Sequence, residues 1–179
     1  MTAEQIAELI EELQAGVAAS YLHLFYLNVP DLDQNLQSRG LDTGSTISLG
    51  RKDGSSYSRI GVWSSINLVR ENARYNLNFL RSQIMTMTSW IGHELKSKQY
   101  FDKTPELEFF RHLRNGLSHG NKFYFREGEP KRPARFKTFE ITRCLQGQEV
   151  AFSFINTGDF FDLFDYLKAH LRALPRTRA

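Results

Sequence analysis

Apolar residues recur at three- and four-residue steps in four stretches of the chain, and each such stripe predicts a helix. The first runs from Thr2 to Asn28, with Ile6, Leu9, Ile10, Leu13, Val17, Tyr21 and Leu24 on one face. Thr2 and Gln5 have capping-box spacing, Glu4 and Glu8 lie where a helix dipole favours negative charge, and Pro30 closes the segment. The second stripe, Trp63 to Lys98, is the longest. Ile66, Val69, Ala73, Leu77, Leu80, Ile84, Met87, Ile91 and Leu95 keep the helical period over about nine turns, with Ser64 and Ser65 as candidate N-caps. A third helix is expected from Glu106 to about Gly120, entered through Thr104-Pro105. The fourth is expected to be capped by Asp159, with Phe160, Leu163, Phe164, Leu167 and Leu171 as its core face, ahead of a basic tail, Arg176-Thr-Arg178.

Two segments break this rhythm. Pro30 to Tyr57 has no sustained period and contains Gly40, Gly44, Gly50 and Gly54 among Ser, Asp and Gln, so residues 30–57 are expected to be a long mobile loop or an insertion that orders on binding. Gly44 to Lys52 has glycines and a lysine, but it lacks the Gly-Lys-Ser/Thr ending and the preceding apolar strand of a phosphate-binding loop. From Arg135 to Phe154 the pattern alternates, with a turn at Gln146-Gly147-Gln148 and then Val150, Phe152 and Phe154. This predicts one β-hairpin, over 135–154, inserted before the C-terminal helix. The expected fold is mainly α: an antiparallel helical bundle forming a single domain over residues 1–179.

Composition narrows the class. A chain of 179 residues with 41 % hydrophobic residues is enough for one domain with a real core. No apolar run approaches the roughly 18 residues of a membrane span. The acidic opening residues lack the pattern of a signal peptide. The single cysteine, Cys144, allows neither an intrachain disulfide nor a cysteine zinc site. A reducing, cytoplasmic setting without membrane contact is expected. Charge is unevenly spread. Residues 111–143 hold nine basic and three acidic side chains, so a chain of net charge +3 places a basic third on a slightly acidic body. That distribution suits either a phosphate-bearing partner or a solvated basic loop.

The candidate chemistry lies in Phe109 to Gly120. On a helical wheel Phe110, Leu113 and Leu117 share one face, while His112, Asn115 and His119 step by three and four on the opposite side. Arg111, Arg114 and Ser118 form the neighbouring row, and no carboxylate within this stretch offsets the cations. Gly116 stands among them at a mid-helix cost of about 1 kcal/mol, accepted so that another helix or an RNA backbone can come close. Mg²⁺ would need converging carboxylates, so no metal and no cofactor is expected. His23, His93 and His170 have no partners at ligand spacing and are expected to be structural. Phe123-Tyr-Phe125 could stack bases, but a buried anchor is the expected role.

Arg114-Asn115-Gly-Leu-Ser-His119 resembles the Arg-x4–6-His signature of the HEPN superfamily of helical domains, including the polar residue after the arginine. The long antiparallel helices around the motif also match that family in outline. The resemblance implies a metal-independent endoribonuclease in which the 2′-hydroxyl of the RNA attacks its own phosphodiester. It further implies catalytic roles for Arg114, Asn115 and His119. Histidine titrates near working pH and can move protons, and arginine can grip two phosphate oxygens. Arg111, Lys122 and Arg126 are expected to position phosphate, with Ser118 and His112 beside them on the substrate side. His112 is either a second proton-transfer group or a polar surface residue. The family also implies a homodimer with a composite active site, a structured RNA such as tRNA as substrate, a role as bacterial toxin or anti-phage effector, and an antitoxin or other regulatory protein. A non-catalytic module of the same fold that binds RNA, nucleotide or protein is the alternative. Some family toxins carry a tyrosine two residues after the histidine. Here that position is Asn121, and the nearest tyrosine is Tyr124.

Overall fold

A computed structural model describes residues 1–175 of the chain, apart from the Arg59 side chain; the basic tail from Arg176 lies outside the described residues. The fold is mainly helical: α1 (Ala3–Tyr26), α2 (Leu32–Ser38), α3 (Val62–Glu71), α4 (Ala73–Ser97), α5 (Pro105–Ser118) and α6 (Thr157–Ala173). Two small antiparallel ribbons accompany them, β1 (Thr46–Gly50) with β2 (Ser56–Gly61) and β3 (Arg135–Phe136) with β4 (Phe139–Glu140). No helix among the described residues is long and apolar enough to cross a membrane.

The helix ends follow from local chemistry. The Thr2 N–H donates to Gln5 Oε1 at 2.8 Å and the Gln5 N–H to Thr2 Oγ1 at 3.2 Å, the reciprocal box expected at the start of α1. Thr104 and Pro105 open α5 as expected. At α6 the cap is Asn156 rather than Asp159. Asp159 is the third helical residue and accepts the Asn156 N–H at 3.0 Å.

Four expectations are corrected. The stripe from Trp63 to Lys98 is two helices, because Asn72 leaves helical geometry at φ −128° and ψ 89° and its side chain accepts the Tyr75 N–H. Helix α3 begins at Val62, so Ser64 and Ser65 are not caps; their hydroxyls donate back to the Gly61 carbonyl. Residues 30–57 are not a structureless loop. They carry α2 and most of the β1–β2 ribbon, whose register runs from Thr46 opposite Gly61 to Gly50 opposite Ser56. The 135–154 hairpin is also much shorter than the alternation suggests. It turns at 137–138, with Phe136 opposite Phe139, and the chain then enters a 3₁₀ turn at Arg143–Leu145.

The described residues group into two compact units, residues 1–17 with 81–175, and residues 18–80. The first unit packs the start of α1, most of α4, and α5 and α6 around Ile6, Ile10, Ile91, Phe110, Leu113 and Phe164. Phe110 meets Phe164 edge-on at 6.4 Å, and Phe109 lies within 6.4 Å of Phe136, Phe139 and Phe154. Helix α5 is therefore surrounded, by helices on one side and by the 121–155 segment on another. Asn121 locks that segment: its Oδ1 accepts the Ala151 N–H at 2.7 Å and its backbone carbonyl accepts the Val150 N–H. The second unit, 18–80, gathers Leu27, Leu32, Ile66 and Val69 into a small core of its own.

Candidate active site

Helix α5 carries the motif, and its neighbours decide where each side chain points. Leu113 and Leu117 are buried, which turns Arg114 and Asn115 toward one cleft. His119 follows as the C-cap of α5, its N–H donating to the Asn115 and Gly116 carbonyls, and its imidazole is exposed in the same cleft. The cleft holds about 560 Å³. It is lined by Gly92 and Lys96 of α4, by Arg111, Arg114, Asn115 and His119, and by Phe101, Tyr124, Arg126 and Glu129 from flanking loops.

Two glycines make this arrangement possible. A Cβ at Gly92 would lie 2.7 Å from Arg114 Cγ, so α4 offers a groove across which the arginine side chain runs. A Cβ at Gly116 would lie 2.6 Å from Val150 Cγ2 and 3.2 Å from the Lys122 carbonyl oxygen. The close backbone that Gly116 admits is thus the protein's own.

Arg114 Nη1 donates to Asn115 Oδ1 at 3.3 Å, and among the described residues its buried Nε has no hydrogen-bond partner and no carboxylate pairs with it. A guanidinium held this way keeps donors free for an anion in the cleft. Tyr124 stands beside the imidazole, its ring centroid 5.5 Å from that of His119. Phe123 and Phe125 point inward, as expected of an anchor, while Tyr124 between them is 55 % exposed. Among the described residues no three His, Cys, Asp or Glu side chains cluster closely enough to hold a metal.

The structure does not bring all the expected residues together. Arg111 lines the cleft, but Glu108 holds its guanidinium at 2.8 Å and Glu129 at 3.4 Å, so much of its charge is already compensated. Arg126 reaches the cleft; Lys122 is exposed elsewhere, and Ser118 faces a separate groove. His112 is neither a surface residue nor a cleft residue. It is 2 % exposed, with Phe125 packed edge-on at 5.4 Å and Arg111 Nη2 at 2.9 Å from its Nε2. Burial, reinforced by the Arg111 charge, lowers its pKa to about 4, which leaves a neutral ring near pH 7. Lys96, Tyr124, Glu129 and Gly92 were missed by sequence reasoning. The alternation in Phe123-Tyr-Phe125 carried a signal for Tyr124, since period-two burial exposes the middle residue.

Comparison of the chain with family models, with curated proteins and with solved structures found no match.

Proposed function

We propose that this cleft is the active site of a metal-independent endoribonuclease of HEPN type, a bacterial toxin or anti-phage effector in its biological role. The observation that carries the reading is the convergence of Arg114, Asn115 and His119 on one basic cleft, together with Lys96 and Arg126. Among the described residues the one carboxylate lining the cleft is Glu129, and Arg111 engages it. An RNA phosphate seated against Arg114 meets a fixed cation where charge grows as phosphorus becomes five-coordinate. The 2′-oxygen attacks phosphorus, the bond to the 5′-oxygen breaks, and the products are a 2′,3′-cyclic phosphate and a 5′-hydroxyl. One proton leaves the 2′-hydroxyl and one reaches the departing 5′-oxygen. His119 performs one of these transfers, and Asn115 fixes Arg114 through its carboxamide oxygen.

The reaction asks for two proton-transfer groups, and one cleft presents a single exposed imidazole because His112 is buried and neutral. A second copy of the chain, facing the first across a two-fold axis, supplies the other. The same observation favours the second reading, a non-catalytic RNA-binding module, should the protein act as a monomer.

Total cellular RNA incubated with the purified protein tests the proposal by mapping new 5′-hydroxyl ends, with and without EDTA. His119→Ala and Arg114→Ala are each expected to lower cleavage at least about 100-fold, at unchanged helical circular dichroism. The exposed His119 should change stability by no more than about 0.5 kcal/mol when truncated, and the half-buried Arg114, whose stem packs on α4, by about 1 kcal/mol. Variants that cleave like the parent, or activity that vanishes with EDTA, overturn the nuclease reading. Binding of RNA without any cleavage selects the second one.

A further inference from the structure

A second groove adjoins the cleft along the same two helices. Met85, Ser89, Trp90 and His93 of α4 face Leu117 and Ser118 of α5 across it. The cleft joins Gly92 and Lys96 to residues 111–119, whereas the groove joins residues 85–93 to residues 117–118. Both lie along the α4–α5 seam, and their linings come next to each other in the chain at Gly92 and His93 on one side and at Ser118 and His119 on the other. These are sequence neighbours, about 3.8 Å apart along the chain.

Trp90 dominates the groove and is 48 % exposed. An indole that open is an apolar platform, and the residues around it are not purely apolar. Ser89, Ser118 and His93 offer hydrogen-bonding groups at its margin, and no acidic side chain among the described residues lines the groove. Next door lie Lys96, Arg114 and Arg126, which suit a polyanion. A flat aromatic ligand with polar edges, attached to a phosphate, matches both halves of the seam.

We propose that Trp90 and the groove around it form a base-stacking subsite for the unpaired nucleotide next to the phosphate held at Arg114 and His119. The inference rests on the ribonuclease reading only in taking RNA as the occupant of the cleft. It adds a restriction on substrate: the strand is single at this point, because bases inside a duplex present no free face to a protein aromatic ring.

The chain has two tryptophans, so Trp63→Phe leaves Trp90 as the sole indole reporter. In the full-length protein carrying His119→Ala, which keeps the RNA intact, a short unstructured RNA is titrated against Trp90 emission, and its blunt duplex serves as the comparison. Saturable quenching by the single strand alone is expected. In the same His119→Ala protein with Trp63 retained, affinity read from a labelled RNA should fall about tenfold or more with Trp90→Ala and recover largely with Trp90→Phe. Equal affinity of the parent and Trp90→Ala overturns the subsite. So does a Trp90→Ala variant that sediments as a smaller species at unchanged RNA affinity, since the face would then join two copies of the chain. The two proposals fail separately. Cleavage by Trp90→Ala at an unaltered KM removes the subsite and leaves the nuclease. Trp90-dependent binding by a protein that never cleaves removes the nuclease and leaves the subsite. Absence of any binding to single-stranded RNA removes the subsite outright.

Discussion

Phe109, Phe110, Phe160 and Phe164 in the first unit are each no more than 1 % exposed, whereas the best-buried residue of the 18–80 unit, Leu32, keeps 4 % and Leu27, Ile66 and Val69 keep 8 %. The second unit also leaves Leu22, Phe25, Tyr26, Ile47, Leu49 and Leu77 exposed. Polar burial divides the same way. Gln14, Thr88, Glu108, His112 and Asn121, the buried polar side chains among the described residues, all belong to the first unit. Enclosing such groups demands a large apolar core around them and partners for their polar atoms; Gln14, Glu108, His112 and Asn121 have such partners, while Thr88 Oγ1 is buried without one among the described residues. The candidate site sits on that stiffer unit, which suits a cleft whose guanidinium and imidazole must hold their places without a ligand.

The largest effect should come from the aromatic core. Phe110→Ala removes a ring packed against both Phe101 and Phe164, and a loss of about 3–5 kcal/mol is expected by urea denaturation. Ile66→Ala, in the looser core, should cost about 2 kcal/mol or less, because its surroundings are already partly open. Equal losses would break the comparison and show that the second unit is as tightly packed as the first.

A smaller effect is expected from His112, and it has a defined pH window. Its folded pKa of about 4 lies below the ordinary histidine value near 6.5, so the unfolded chain takes up the proton first as pH falls. The stability conferred by the neutral buried ring is complete above about pH 6.5 and drains away toward pH 4. Arg111 opposes the charged ring, while Glu108 and Glu129 on the same side favour it. About 2 kcal/mol should be lost between pH 7 and pH 5. His112→Gln should flatten that part of the curve. Glu129 and Asp165, whose carboxyls are held below the usual range by their partners, contribute only at lower pH. A parent protein with no pH dependence between 5 and 7 would mean that the ring is not enclosed as the structure has it.

His112 also shows where sequence reading stops. The wheel of α5 places it opposite Phe110 and Leu113, and a wheel knows only its own helix. Phe125, more than a full element away, is what covers the ring. Arg111 fared similarly. Glu108 lies one residue before Phe109–Gly120, and Glu129 reaches the guanidinium from a loop with no periodic signal. The stripes of α1, as far as Val17, and of α6 were legible because each buries one face against a continuous core, whereas α5 was legible from its Thr104-Pro105 start and is buried on more than one face. The break at Asn72 was not, since the apolar period continues in phase across it and neither Gly nor Pro marks it. The β1–β2 ribbon was hidden because all of β1 is exposed, so no alternation of burial had to be written into it. Convergence of Arg114, Asn115 and His119 could be read from spacing alone; the shape of the cleft, set by Gly92, could not.

The smallest expected effect on stability separates two mid-helix glycines of the first unit. A Cβ at Gly16 in α1 meets nothing within 4 Å, so Gly16→Ala should stabilise by about 1 kcal/mol through helix propensity. At Gly92 the same gain is opposed by the 2.7 Å approach to Arg114 Cγ, with Cδ and Nε at 3.3 Å. An arginine stem can swing aside, so the cost of overpacking there should stay near the low end of about 1–3 kcal/mol, leaving stability within about 1 kcal/mol of the parent. What must move is the guanidinium. Gly92→Ala is therefore expected to depress RNA cleavage far more than it changes the melting curve, while Gly16→Ala raises the melting temperature at constant activity. Because the Arg114 stem runs across Gly92 while the backbone of α5 stays in place, the loss should appear in kcat more than in KM. A Gly92→Ala protein that melts and cleaves like the parent would show that the arginine does not depend on this groove for its position.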